Sequence, residues 1–208
     1  MMGEFFAITF IILLAAISPG PDFAMVVKNS LLYSKRGGIY TSLGITISLF
    51  VHATYCMMGL AIIISKSLLL FNVIKYIGSA YLIYIGTRAL FSKKTTQSHI
   101  EHTDVKSINR KTAFWQGLLC NLLNPKAIMF LLALFTMVIK PTTPMILQII
   151  YVIDIGLIHF VWFCSLSIFL THHKVSKLLQ KIQFIVTKVM GGVLVMFGIR
   201  IATLAQQL

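Results

Sequence analysis

Ser18-Pro19-Gly20-Pro21 interrupts the first apolar stretch of this chain, and Asn124-Pro125 interrupts the fourth. A charge follows each interruption at once, Asp22 after the first and Lys126 after the second. A stretch this apolar would run as one helix in lipid, where every backbone N–H and C=O has to be bonded inside the segment. Proline removes a donor and clashes with the carbonyl four residues back, and glycine adds freedom, so both spans are predicted to be broken helices. Non-helical backbone at membrane depth is tolerated where it faces protein or a water-filled cavity. The rest of the chain therefore has to enclose the two breaks.

Membrane embedding follows from composition. Apolar residues are 58% of the 208 and charged residues 11%, against about 45–50% and about 25% in soluble domains. Stretches at 5–28 (with its break), 39–65, 68–91, 112–139, 142–170 and 184–204 each approach the roughly 20 residues needed to cross a bilayer. The predicted fold is all-α integral membrane, a single transmembrane domain of six helices with helices 1 and 4 broken. Met1 to Glu4 carry no basic residue and five more spans follow, so the first stretch reads as a span and not a cleaved signal. Cys56, Cys120 and Cys164 lie inside spans without paired spacing and read as small buried residues.

The formal net charge of +13 matters through its distribution. Thirteen lysines and arginines follow spans one, three and five, among them Lys35, Arg36, Arg88, Lys93, Lys94, Lys106, Lys174 and Lys177, against Lys66, Lys75 and Lys140 on the other side. By the positive-inside rule the basic connections are cytoplasmic and both termini lie outside. The basic loops then set orientation and touch anionic lipid. Aromatics are not interleaved with them, which argues against nucleic acid as a partner.

One long hydrophilic connection, 92–111, separates a first half (about 1–91) from a second (about 112–208). Lys75-x-x-Gly78 with Gly86-Thr87-Arg88 in span three matches Lys188-x-x-Gly191 with Gly198-Ile199-Arg200 in span six. Pro21 and Met25 match Pro125 and Met129, and His52 matches His159. With three spans per half the second copy enters from the opposite side, so the halves form two inverted three-helix repeats. Gly78, Gly86, Gly191, Gly192 and Gly198 read as packing positions, within one chain or between two copies of a homodimer.

Broken helices of this kind mark substrate and ion sites in secondary transporters. Asp22 begins a helical segment, where the helix dipole favours its charge, and as an intramembrane carboxylate it is a functional candidate as well as a cap. Lys126 also begins a helical segment, where the dipole opposes it, so an anionic partner is expected: Asp22, Asp154 or a substrate carboxylate. It lies about 14 residues, or about 21 Å, along its span, which makes snorkelling to the interface difficult. Asn124 is placed to cap the following helix or to bind a ligand. Asp154 has no charge within four residues and needs a partner on another helix, an ion or a proton. His52 and His159 read as hydrogen-bonded within the bundle or as ion-coupling groups; Asp154 and His159 are separated by about 140° on a straight helix and do not form a metal site by themselves. His99, His102, His172 and His173 read as loop residues. No catalytic, metal or cofactor motif is present, so the chain reads as neither an enzyme nor a cofactor protein.

Taken together, Ser18-Pro19-Gly20-Pro21-Asp22, the Lys35-Arg36-Gly37-Gly38 turn leading to Gly44 and His52, Gly59-Leu60-Ala61, the stretch from Lys75 to Gly86, and Asn121-Leu122-Leu123-Asn124-Pro125-Lys126 resemble the LysE/RhtB family of bacterial amino-acid exporters over nearly the whole length. Asp154 falls where such exporters tend to carry an aspartate. The resemblance implies efflux of an amino acid or derivative driven by an ion gradient. Where the family often has Pro-Gln-Phe after span four, this chain has Phe135-Thr136-Met137-Val138-Ile139, so no role carries over to that turn.

The mechanism expected is a meeting of the two breaks at the membrane midplane, bordered by Pro21 and Pro125. Lys126 and nearby helix starts hold a substrate carboxylate, and Asp22 or Asp154 holds its amino group or a coupling proton. A divalent-metal exporter using His52 and His159 is the alternative within transport. A membrane enzyme or assembly subunit is the alternative outside it.

Overall fold

The computed structural model describes residues 2–66, 68–92, 108–138, 143–170 and 173–203. Most of the expected linker 92–111, with Lys93, Lys94, Lys106, His99 and His102, lies outside the described residues, as do Ile139, Lys140 and His172. The described residues form eight α-helices: α1 (Met2–Ile17), α2 (Pro21–Leu32), α3 (Lys35–Lys66), α4 (Leu68–Leu90), α5 (Arg110–Leu122), α6 (Pro125–Val138), α7 (Met145–Phe169) and α8 (His173–Thr203).

Both predicted breaks are present. Phe5–Ile17 and Pro21–Leu32 meet at 55°, and Arg110–Leu122 and Pro125–Thr136 meet at 57°. Two helices, α3 over Lys35–Gly59 and α7, are long and apolar enough to cross a membrane alone, and each bent pair reaches that standard as one broken span. Over their described residues α4 and α8 fall short of it, and they pack along each other.

Close approach of small residues holds the frame. A Cβ at Gly44 would lie 2.1 Å from the Phe114 carbonyl oxygen, and one at Gly117 would lie 2.1 Å from that of Thr41, so α3 and α5 touch backbone to backbone. The pair α4 and α8 is built the same way and runs antiparallel. Gly86 faces the Gly191 carbonyl, Ser79 Oγ donates to the Gly198 carbonyl at 2.7 Å, and Lys188 Nζ donates to the carbonyls of Leu90 and Ser92 at the end of α4. Gly78 is placed against Ala133 of α6, and a Cβ at Gly156 of α7 would strike the Phe50 ring of α3. Van der Waals packing at such crossings substitutes for the hydrophobic drive that lipid removes.

Because backbone cannot yield as a side chain does, Gly44→Ala and Gly117→Ala are expected to lower the melting temperature of the detergent-solubilised protein. The overpacking cost is about 1–3 kcal/mol each. Gly192→Ala, where a Cβ meets nothing within 4 Å, is expected to melt as the parent does.

Candidate functional site

Each break leaves backbone groups without their helical partners, and the two breaks lie against each other. The last turn of α1 closes with Ser18 N–H donating to the Leu14 carbonyl at 3.0 Å. Gly20 is extended, Pro21 opens α2, and Ala24 N–H donates to the Gly20 carbonyl at 2.9 Å. At the second break Asn124 caps α6. Its Oδ1 accepts from Lys126 N–H at 3.0 Å, and its carbonyl accepts from Ala127 at 3.1 Å and Ile128 at 3.2 Å.

The charges cross from one break to the other. Asn121 Nδ2 and Asn124 Nδ2 each donate to Asp22 Oδ2 at 2.9 Å. Lys126 Nζ donates to Ser18 Oγ at 2.9 Å, to the Pro19 carbonyl at 3.2 Å and to the Ser18 carbonyl at 3.4 Å. A carboxylate was the expected partner for Lys126. In the structure the hydrogen bonds of the ammonium group go to neutral oxygens at the carbonyl end of α1, where the helix dipole is negative and orphan acceptors remain, while the Asp22 carboxylate, one of the expected anions, faces the same cavity and attracts it through charge. Gly20 gives it room, since a Cβ there would sit 3.2 Å from Nζ. Asp22, for its part, makes no side-chain capping bond to α2. Its charge lies in the first turn of that helix, and its hydrogen bonds go to the other half of the chain.

His52 completes the second break. Proline at 125 has no N–H to give the Asn121 carbonyl four residues earlier; that oxygen accepts instead from Asn124 N–H at 2.9 Å and from His52 Nε2 at 3.1 Å. A carbonyl only accepts, so Nε2 carries the proton and Nδ1 takes the Tyr55 hydroxyl. His159 on α7 donates from Nδ1 to the Ile155 carbonyl at 2.8 Å, which leaves Nε2 as an acceptor.

A cavity of about 40 Å³ opens between the breaks, lined by Asp22, Asn121, Asn124, Lys126 and His159, with Phe163 among its apolar residues. At about 10–15 Å³ per water that is room for about three, and too little for a whole amino acid. Asp154 is not part of the lining; it accepts from Thr9 of α1 at 2.8 Å, the partner on another helix that it needed. His52 is likewise outside the lining, behind Asn121. Among the described residues no three of His, Cys, Asp and Glu gather to hold a metal ion, which leaves the divalent-metal alternative without a ligand set there.

Asn121 and Ser18 were not singled out from sequence as site residues. The available signal was a pair of asparagines, Asn121 in the last turn of the helix before the break and Asn124 at the break, and the loss of an N–H at Pro125 that exposes the Asn121 carbonyl.

A helical membrane protein with two broken helices facing a charged cavity has the architecture of a transporter. The LysE type translocator family matches residues 13–205, and the chain belongs to it. Members of that family are transporters of the membrane and not enzymes. The chain is 33% identical over 191 residues to an uncharacterised membrane protein, YrhP, of Bacillus subtilis (strain 168), covering 88% of this chain and 91% of the relative. It is 30% identical over 192 residues to a leucine efflux protein of Salmonella typhimurium, covering 89% and 88%. Over 135 residues it is 32% identical to a homoserine/homoserine lactone efflux protein of the same species, covering 65% and 64%. No solved structure matches.

Asn124 both caps α6 and binds Asp22, whereas Asn121 only binds Asp22 and carries a buried, unpaired Oδ1. Loss of a cap costs about 0.5–2 kcal/mol, so Asn124→Ala is expected to lower the melting temperature more than Asn121→Ala. Differential scanning fluorimetry of the two variants in detergent checks the order.

Proposed function

We propose that this chain exports an amino acid or a close derivative from the cytoplasm across the bacterial inner membrane in exchange for a proton, with the meeting point of the two breaks as its substrate site. The observation that carries this reading is a pair of acceptors left over at that point. Asp22 Oδ1 and Asn121 Oδ1 are buried and make no full hydrogen bond, the Cys120 thiol being a weak donor beside Asp22. An α-ammonium group brings three donors and a positive charge, which is what these oxygens lack. Lys126 takes the substrate carboxylate, exchanging its two longer contacts, to the carbonyls of Pro19 and Ser18. Asn124, Pro21 and Pro125 hold the breaks in shape. The names of the leucine and homoserine efflux relatives support a small amino-acid-like solute.

Asp22 serves proton and substrate in turn. A proton on its carboxyl and an ammonium group beside it exclude each other, and mutual exclusion is what antiport requires. His159, with Nε2 as an acceptor in the cavity lining, is the second coupling candidate. Asp154 is engaged with Thr9 outside the lining, and His52 acts on Asn121. The small cavity means that the breaks part to admit substrate.

Six spans in two inverted repeats, about 1–91 and 112–208 around a cytoplasmic linker, with both termini outside, is the topology that goes with this mechanism. The near-equal bends of 55° and 57° support it. So does the exchange of equivalent positions between α4 and α8: Gly86 meets Gly191, and Ser79, beside Gly78, meets Gly198.

Counterflow in proteoliposomes with a panel of amino acids tests the reading. At matched reconstitution, Asp22→Asn and Lys126→Ala are each expected to slow exchange by roughly tenfold to a hundredfold, the factor that about 1.5–3 kcal/mol of charged hydrogen bonding represents. Unchanged exchange in Lys126→Ala removes the carboxylate assignment. Asp154→Asn is expected to keep both counterflow and drive by a pH gradient; loss of the drive alone would move the proton to Asp154.

A further inference from the structure

Resting on the export reading, we infer that the transported class is neutral amino acids with apolar side chains, and that Phe23, Phe130 and Phe163 form the subsite for the side chain. Charge accounting at the cavity leads there. Among the described residues, Asp22 is the one acidic residue that lines the cavity and Lys126 the one lysine. The α-ammonium and α-carboxylate of any amino acid use both. A cationic side chain would bring a second positive charge beside Lys126 with no carboxylate to meet it. An anionic side chain would find no second cation. Unpaired charge in a low-dielectric site is strongly disfavoured.

The polar groups at the breaks are also largely committed. Asn124 is held at both ends of its amide, Ser18 Oγ accepts from Lys126, and His159 Nδ1 donates to the Ile155 carbonyl. Beyond the breaks and His159, the lining is wholly apolar, with Leu49 and Leu131 beside the three phenylalanines. Phe23 follows Asp22 directly, Phe130 lies one helical turn beyond Lys126, and Phe163 lies one turn beyond His159 on α7. An apolar side chain finds matching surface there. With Asp22 Oδ1 and Asn121 Oδ1 given to the α-ammonium group, a hydroxyl is left with the open nitrogen of His159 and the carbonyls of Ser18 and Pro19 that Lys126 releases, whereas the phenylalanine surface offers it no acceptor, so homoserine and threonine rank below leucine.

Counterflow with the purified full-length protein, loaded in turn with leucine, methionine, phenylalanine, threonine, homoserine, lysine, arginine and glutamate, decides the matter. Leucine or methionine exchanging at least tenfold faster than lysine, arginine and glutamate is the expected result. Lysine or arginine within threefold of leucine overturns the inference while leaving export of amino acids standing. Absence of exchange for every amino acid overturns the export reading, and this inference with it. For the subsite, Phe163→Ala and Phe130→Ala are expected to raise the phenylalanine-to-leucine exchange ratio at least threefold, with Phe163→Leu, a milder change, shifting it less. A ratio unmoved in all three overturns the subsite assignment.

Discussion

Backbone carbonyls left open by proline inside a membrane helix need donors from elsewhere in the protein, and in this chain the second break supplies those of the first while a neighbouring helix supplies that of the second. The ammonium group of Lys126 caps the carbonyl end of α1, and the amides of Asn121 and Asn124 hold the Asp22 carboxylate. Neither break is satisfied alone. A lysine at the start of α6 is disfavoured by its own helix and favoured by the end of another, so the opposition of dipole and charge at one break is resolved by the geometry of the other. His52 adds the last donor, on the carbonyl that Pro125 leaves open.

The rest of the fold serves to hold the breaks at that distance. Backbone contact between α3 and α5 at Gly44 and Gly117 fixes the second broken span against the helix that carries His52. The α4 and α8 pair packs backbone to backbone at Gly86, Gly191 and Ser79, and Gly78 sets it against Ala133 of α6. A glycine frame of this kind changes little, whereas the contacts between the breaks are few and polar. In the proposed mechanism, motion that admits a substrate falls to the breaks, and the longer hydrogen bonds of Lys126 are the first to be exchanged.

Proline, glycine and charge made the two breaks legible in the sequence, because each acts through local backbone chemistry that needs no tertiary information. The proposed likeness of the halves rests on Lys75 and Lys188 with their glycines. What sequence could not show was which groups meet. The position of Lys126 calls for an anion nearby, and nothing local reveals that the carbonyl end of α1 lies beside it as well. Asp154 and Asp22 were equal candidates on the ground of intramembrane charge alone, and only packing separates the one held by Thr9 from the one at the cavity. Asn121 stands in the motif that carries the family resemblance, but a neutral side chain in an apolar span has no electrostatic signal to mark it as a site residue; its role comes from its place one turn before the break.

The central claim is that the two breaks read opposite ends of one substrate. It is tested most directly by inhibition of leucine counterflow with two analogues, isoamylamine, which lacks the carboxylate, and isocaproate, which lacks the ammonium group, on the parent, Asp22→Asn and Lys126→Met proteins. The account predicts crossed behaviour. Lys126→Met loses its preference for leucine over the amine and keeps it over the acid, and Asp22→Asn does the reverse. Preferences that fall together in both variants, or that change in neither, would contradict it.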